Sequence, residues 1–149
     1  MTLDTLRKLF SRDLEKLKKE ISSYKNEKRI WYTEKEIPNS AGNLCLHLAG
    51  NLNTYIGAEL GNSGYIRHRD LEFSLKDMTQ QELIEKIETT IAVVDSILSK
   101  MREEQLKDEF PALVFKEKTS TGYMLIHLAT HLGYHLGQVN YHRRLLDAE

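Results

Sequence analysis

A single cysteine, Cys45, leaves this chain of 149 residues no partner for an intrachain disulfide, which fits a reducing compartment. No apolar run approaches the ~20 residues of a membrane span, and the opening stretch MTLDTLRKLFSRDLEKLKKE lacks the apolar core of a signal peptide. Charge of either sign is not in excess: the formal net charge is -1 although 29% of residues are charged. That removes any global electrostatic case for nucleic acid or for an anionic membrane. The two prolines, Pro38 and Pro111, both fall between helical segments. The expectation is a soluble, cytoplasmic, single-domain protein spanning residues 1–149. A chain of this length buries roughly two-thirds of its unfolded surface, so no metal is needed merely to fold it.

The charges are unevenly spread. Residues 1–36 carry ten Lys/Arg against seven Asp/Glu, and residues 81–118 carry six against nine. Two solvated helix faces that attract each other account for this pattern.

Hydrophobic periodicity supplies the rest. Leu3, Leu6, Phe10, Leu14, Leu17, Ile21 and Tyr24 recur in steps of three and four, the stripe of an amphipathic helix. A second helix starts at the N-cap Ser40, with Leu44, Leu48, Leu52, Tyr55 and Ile56 on one side. GNSGYIRHRDLEFSLKD has two glycines and no helical period, and reads as a long connection. Thr79 caps a third helix with Leu83, Ile87, Ile91, Val94, Leu98 and Met101 inward. The last helix begins near Thr119 or Ser120, runs to about Leu146, and carries Leu125, Leu128, Leu132, Leu136 and Val139. Four such stripes bury only against each other, so the fold class is all-α, a four-helix bundle. LEFSL at 71–75 and VFKEK at 114–118 are the segments able to form a short β-ribbon. Trp31 reads as the packing anchor of the first connection.

The stretch HLATHLGYHLGQ places His127, His131 and His135 four residues apart in a chain with six histidines. At 100° per residue from Leu125, His135 lies about 80° from the core direction, His131 about 120° and His127 about 160°. His131 and His135 therefore shoulder the core, whereas His127 points mostly away; His127 and His142 read as solvent-facing or supporting residues. On the second helix, His47 lies about 60° from Leu44 and Asn51 falls inside the stripe. Asn51, if buried, needs partners for its amide and reads as a supporting residue near the site. Two imidazoles at i and i+4 suit two neighbouring positions around a transition metal, and His47 supplies a third nitrogen with one position left open. An isolated HxxxH is equally an ordinary pair of core-edge histidines, and spacing alone leaves both readings standing. Cys45 points away from His47 and reads as a small apolar residue.

NLCLHLAGN at 43–51, RHRDLEF at 67–73 and HLGYHLGQ at 131–138 together resemble the three signature stretches of the DinB-like superfamily, in a branch with Gly-Asn after the helix-two histidine. The likeness runs from about residue 37 to the end. It implies up-down-down-up connectivity, a homodimer, and a divalent metal such as zinc or nickel held by His47, His131 and His135. Characterised relatives include thiol-dependent S-transferases using bacillithiol, mycothiol or glutathione, and members without demonstrated activity are common.

The leading expectation is thus a metal-dependent enzyme transferring a low-molecular-weight thiol to a small-molecule electrophile. Arg67 and Arg69 are candidates to hold the carboxylates of the thiol, unless they form loop salt bridges to Asp70 or Glu72. Tyr55, Tyr134 and Gln138 are candidates to position water or the electrophile. Metal-dependent hydrolysis is a weaker alternative, because the second and fourth helices offer almost no carboxylate as general base. The rival from another class is a non-catalytic dimeric metal-binding or interaction protein, with Gly133 and Gly137, in step with Ala129, permitting a close helix approach.

Overall fold

A computed structural model describes residues 1–148. Among the described residues, five α-helices of six residues or more follow one another: α1 Thr2–Ser22, α2 Ala41–Leu52, α3 Arg69–Ser74, α4 Gln80–Lys100 and α5 Thr121–Leu146. Short 3₁₀ turns at Glu27–Trp31 and Glu103–Lys107 lie in the connections. The caps fall where the sequence puts them. Ser40 Oγ accepts the Asn43 amide, Ser120 Oγ accepts the Tyr123 amide, and Thr79 and Glu82 exchange hydrogen bonds as a capping box, each satisfying donors that the first helical turn leaves without partners. The amides of Thr2 and Leu3 are capped from a distance by the Glu103 carboxylate.

The long helices form a ring in which α1 and α2 each pack on both α4 and α5. Their directions follow from side-chain contacts. Gln80, at the start of α4, reaches carbonyls of Ile21 and Tyr24 at the end of α1, so these two run antiparallel. Glu20 meets Asn140 and Arg143, so α1 and α5 run together. Asn53 reaches Thr90, and Gly57 and Gly61 abut Val93 and Ile97, so α2 and α4 run together. The connectivity is up-down-down-up. The complementary charge of the two segments appears as the Arg7–Asp95 ion pair between α1 and α4.

Two expectations need correction. Residues 71–74 of LEFSL belong to the helix α3, and no strand forms at 114–118. The Asn43 side-chain amide donates to the carbonyls of Glu72 and Leu75, satisfying the end of a helix turn that a strand would have turned outward. α2 is also buried nearly all round, eleven of its twelve residues being buried, rather than on one side. The Glu27–Trp31 turn and α3 cover the faces that α4 and α5 leave. Trp31 packs on Gly42, where a Cβ would come within 2.6 Å of its ring, and its indole N–H donates to the Met78 carbonyl.

His142 is likewise buried, not solvent-facing. Its Nε2–H donates to the Tyr32 carbonyl and its Nδ1 accepts the Tyr24 hydroxyl at 2.6 Å, tying the first connection to α5. Tyr24→Phe leaves that buried nitrogen without a donor and should cost about 1–3 kcal/mol, visible as a lower urea midpoint with an unchanged slope.

Candidate functional site

The apolar stripes of α2 and α5 set these helices antiparallel, and their shoulders bring His47, His131 and His135 together. One ring nitrogen from each lies within 4.8 Å of the others. The Nε2 atoms of His47 and His131 face each other at 3.2 Å. Two nitrogens bound tetrahedrally at 2.0–2.1 Å to one ion would stand about 3.3 Å apart. The three histidines thus have the geometry to hold a metal ion.

The far sides of two rings are fixed. His47 Nδ1–H donates to Glu72 Oε1 at 3.1 Å, and His135 Nδ1–H donates to Gln138 Oε1 at 2.6 Å. Both bonds select the tautomer whose Nε2 lone pair points into the cluster. Nδ1 of His131 is buried without a hydrogen-bond partner among the described residues, and so is Oδ1 of Asn51, one turn beyond His47.

Glu72 is the residue that sequence reasoning placed only as a salt-bridge partner. It is 6% exposed, and Arg67 grips it with two bonds, Nε to Oε2 at 2.8 Å and Nη2 to Oε1 at 3.0 Å. Burial pushes its carboxyl upward, but the hydrogen bonds from His47 and Arg67 outweigh this and hold it below the usual carboxylate range. Arg67 in turn lies over the Tyr55 ring, and Tyr55 meets Phe110 edge-on. The guanidinium of Arg67 is thereby engaged inside the protein. Arg69 is exposed and lies over the Phe73 ring.

The signal that could have found Glu72 is Gly50. Glycine in a helix interior costs about 1 kcal/mol relative to alanine. Here a Cβ on it would overlap the Glu72 carboxylate. Gly50→Ala should therefore push Glu72 off His47 and weaken metal binding, despite its better helix propensity; titration with a chromogenic chelator checks this. A short π-helical stretch, Asn53–Ala58, follows and advances the register by one residue, which periodicity counting does not anticipate.

The rim is aromatic. Phe73 lies 5.1 Å from His47 and Tyr134 lies 5.3 Å from His135, ring centre to ring centre. His127 does not point away as expected: it is half-buried and stacked on His131, with Phe115 edge-on behind it. The loop before α5 supplies that Phe115, which a wheel on α5 alone does not include. Cys45 is fully buried and its thiol is pushed up to about 12, so it is unreactive at neutral pH.

His131 stays neutral in the fold down to about 4, first because it is buried and then because His135, His47 and His127 crowd it with like charge. Burial also lowers His135 and His142. In the unfolded chain these rings take up protons near pH 6.5. The unfolded state therefore binds more protons as pH falls below that value, so metal-free stability is highest above pH 6.5 and declines toward pH 4. Urea midpoints at pH 7.5 and 5 in the presence of a chelator measure the decline.

An all-helical bundle carrying a three-histidine cluster that can hold a metal is the class these features define. The chain belongs to the family described as "Protein of unknown function (DUF1572)", whose profile matches residues 2–149. Searches of curated proteins and of solved structures found no match. No helix among the described residues is long and apolar enough to cross a membrane.

Proposed function

We propose that the chain is a divalent-metal-dependent enzyme of the DinB-like type that transfers a low-molecular-weight thiol to an electrophile at His47, His131 and His135. The observation that carries this reading is the facing pair of Nε2 atoms at 3.2 Å, with the His47 and His135 rings held from behind by Glu72 and Gln138. Three nitrogen donors suit zinc or nickel. Bound there among neutral ligands, such an ion would keep its full charge and would supply the Lewis acidity that favours the ionised form of a thiol. The thiol proton passes to solvent, a sulfur lone pair forms the new S–C bond, and the leaving group departs with its bonding electrons.

The chain's own residues hold the partners. With Arg67 committed to Glu72, the role of holding a carboxylate of the thiol falls to Arg69. Tyr134 stands at the rim to orient the electrophile, and Gln138 keeps His135 turned inward. The carboxylate that contacts the cluster through His47, that of Glu72, lies behind that ring and is engaged by Arg67, so it is not free to deprotonate water, which argues against hydrolysis. The test is a screen of bacillithiol, mycothiol, glutathione and coenzyme A against monobromobimane, with and without zinc or nickel. Metal-dependent product formation with one thiol is expected. No metal-dependent turnover with any of the four would remove the enzymatic reading.

A second reading, a non-catalytic homodimer, has its own observation. Tyr123, Ile126, Tyr134, Tyr141 and Leu145 form an exposed stripe along α5, and a Cβ at Gly137 would meet only open space. We place the dimer contact on this stripe. A monomeric mass in light scattering at high protein concentration would dismiss it.

A further inference from the structure

Beside the histidine cluster, between the C-terminal half of α5 and residues 36–39, lies a cleft of about 450 Å³. That volume lies in the range of sites for small organic molecules. Its walls are mainly apolar, from Ile37, Pro38, Leu44, Tyr141 and Leu145, and His135 and its partner Gln138 also line it. Among the described residues lining it there is no lysine or arginine, and Glu36 is the one formally charged group. Outside the lining, the Arg144 guanidinium lies over the Tyr141 ring, 5.2 Å from its centre. His142, also in the wall, has both ring nitrogens occupied by Tyr24 and Tyr32.

These features sort ligands by charge. An anionic group entering the cleft gives up water for apolar walls and meets the Glu36 carboxylate, with no lysine or arginine in the lining to pair with it. An uncharged apolar or aromatic molecule gives up little and gains buried area against the walls. The thiols named above that carry carboxylates therefore do not belong here, whereas an apolar reaction partner does. Because His135 is common to the cleft and to the cluster, a molecule filling the cleft lies against a residue of the cluster.

We infer that this cleft seats the electrophile, and that the electrophile is an uncharged, mainly apolar molecule. The inference rests on the thiol-transfer reading for the role of its ligand, but its binding preference is measurable without turnover. The probes are N-phenyl-1-naphthylamine, which is neutral, and 8-anilinonaphthalene-1-sulfonate, which has nearly the same rings plus a sulfonate. Fluorescence titration of the full chain should show the neutral probe saturating at one per chain, with a Kd at least tenfold below that of the sulfonate. Ile37→Asp, at an exposed position that leaves the core intact, should weaken the neutral probe at least fivefold. Glu36→Lys should narrow the preference at least threefold.

Equal affinity for the two probes, or a preference unmoved by both substitutions, would overturn the inference. So would loss of the probe site on self-association, with light scattering showing that a second copy closes the cleft. The two proposals fail separately. Turnover that the neutral probe does not inhibit competitively against the electrophile overturns the seat while sparing thiol transfer. Selective probe binding without turnover by any thiol removes the reaction and keeps the apolar preference of the cleft.

Discussion

Replacing Glu72 by alanine should lower metal affinity at the histidine cluster by about 10- to 100-fold and destabilise the fold by about 3–5 kcal/mol. Both effects come from one carboxylate. On one side it accepts the His47 Nδ1–H, which holds the ring with Nε2 inward; on the other it neutralises Arg67, whose side chain is only 15% exposed. Without it the guanidinium is left charged and unpaired among apolar neighbours, and His47 is free to rotate or change tautomer. Glu72→Gln separates the two contributions. The amide oxygen still accepts from His47 but no longer balances the arginine, so most of the metal affinity should survive while stability still falls. Competition with a chromogenic chelator and urea unfolding, run on both variants, give the two quantities independently. If the alanine variant bound metal as tightly as the parent, Glu72 would have no part in orienting His47.

The second large effect is expected for His131→Ala. The parent chain, purified without a polyhistidine tag and loaded with zinc or nickel, should carry one ion and unfold at a higher temperature than the chelator-treated protein. At metal concentrations a thousandfold above Kd the linkage amounts to about 4 kcal/mol. The variant should carry none and show no metal-dependent shift. Its metal-free stability should change little or rise, because the parent buries a ring nitrogen without a partner there. A variant that still held one ion per chain would show that these histidines do not form the binding set.

Much of this was legible in the chain. The stripes on α1, α4 and α5 and the caps at Ser40 and Thr79 depend on neighbours three or four residues away, which the sequence displays directly. The wheel positions of His47, His131 and His135 on the shoulders of the core also came from local geometry, and the structure brings those three together. Other parts were not legible. The near-complete burial of α2 requires α3 to fold back over it, and α3 is held there because Asn43, about thirty residues earlier, donates its side-chain amide hydrogens to the Glu72 and Leu75 carbonyls. His127 turned inward because Phe115, from a preceding loop, closes over it.

The sequence alone determined the stripes and N-caps of the long helices, the all-helical class and the three imidazoles placed to converge, because helical periodicity is a property of each segment by itself. Only the tertiary structure decided that Arg67 serves Glu72, that Glu72 orients His47, that Gly50 makes room for it and that His135 lines an apolar cleft. These depend on the partners available to a polar or apolar group once water is excluded, and the partners come from segments distant in the chain.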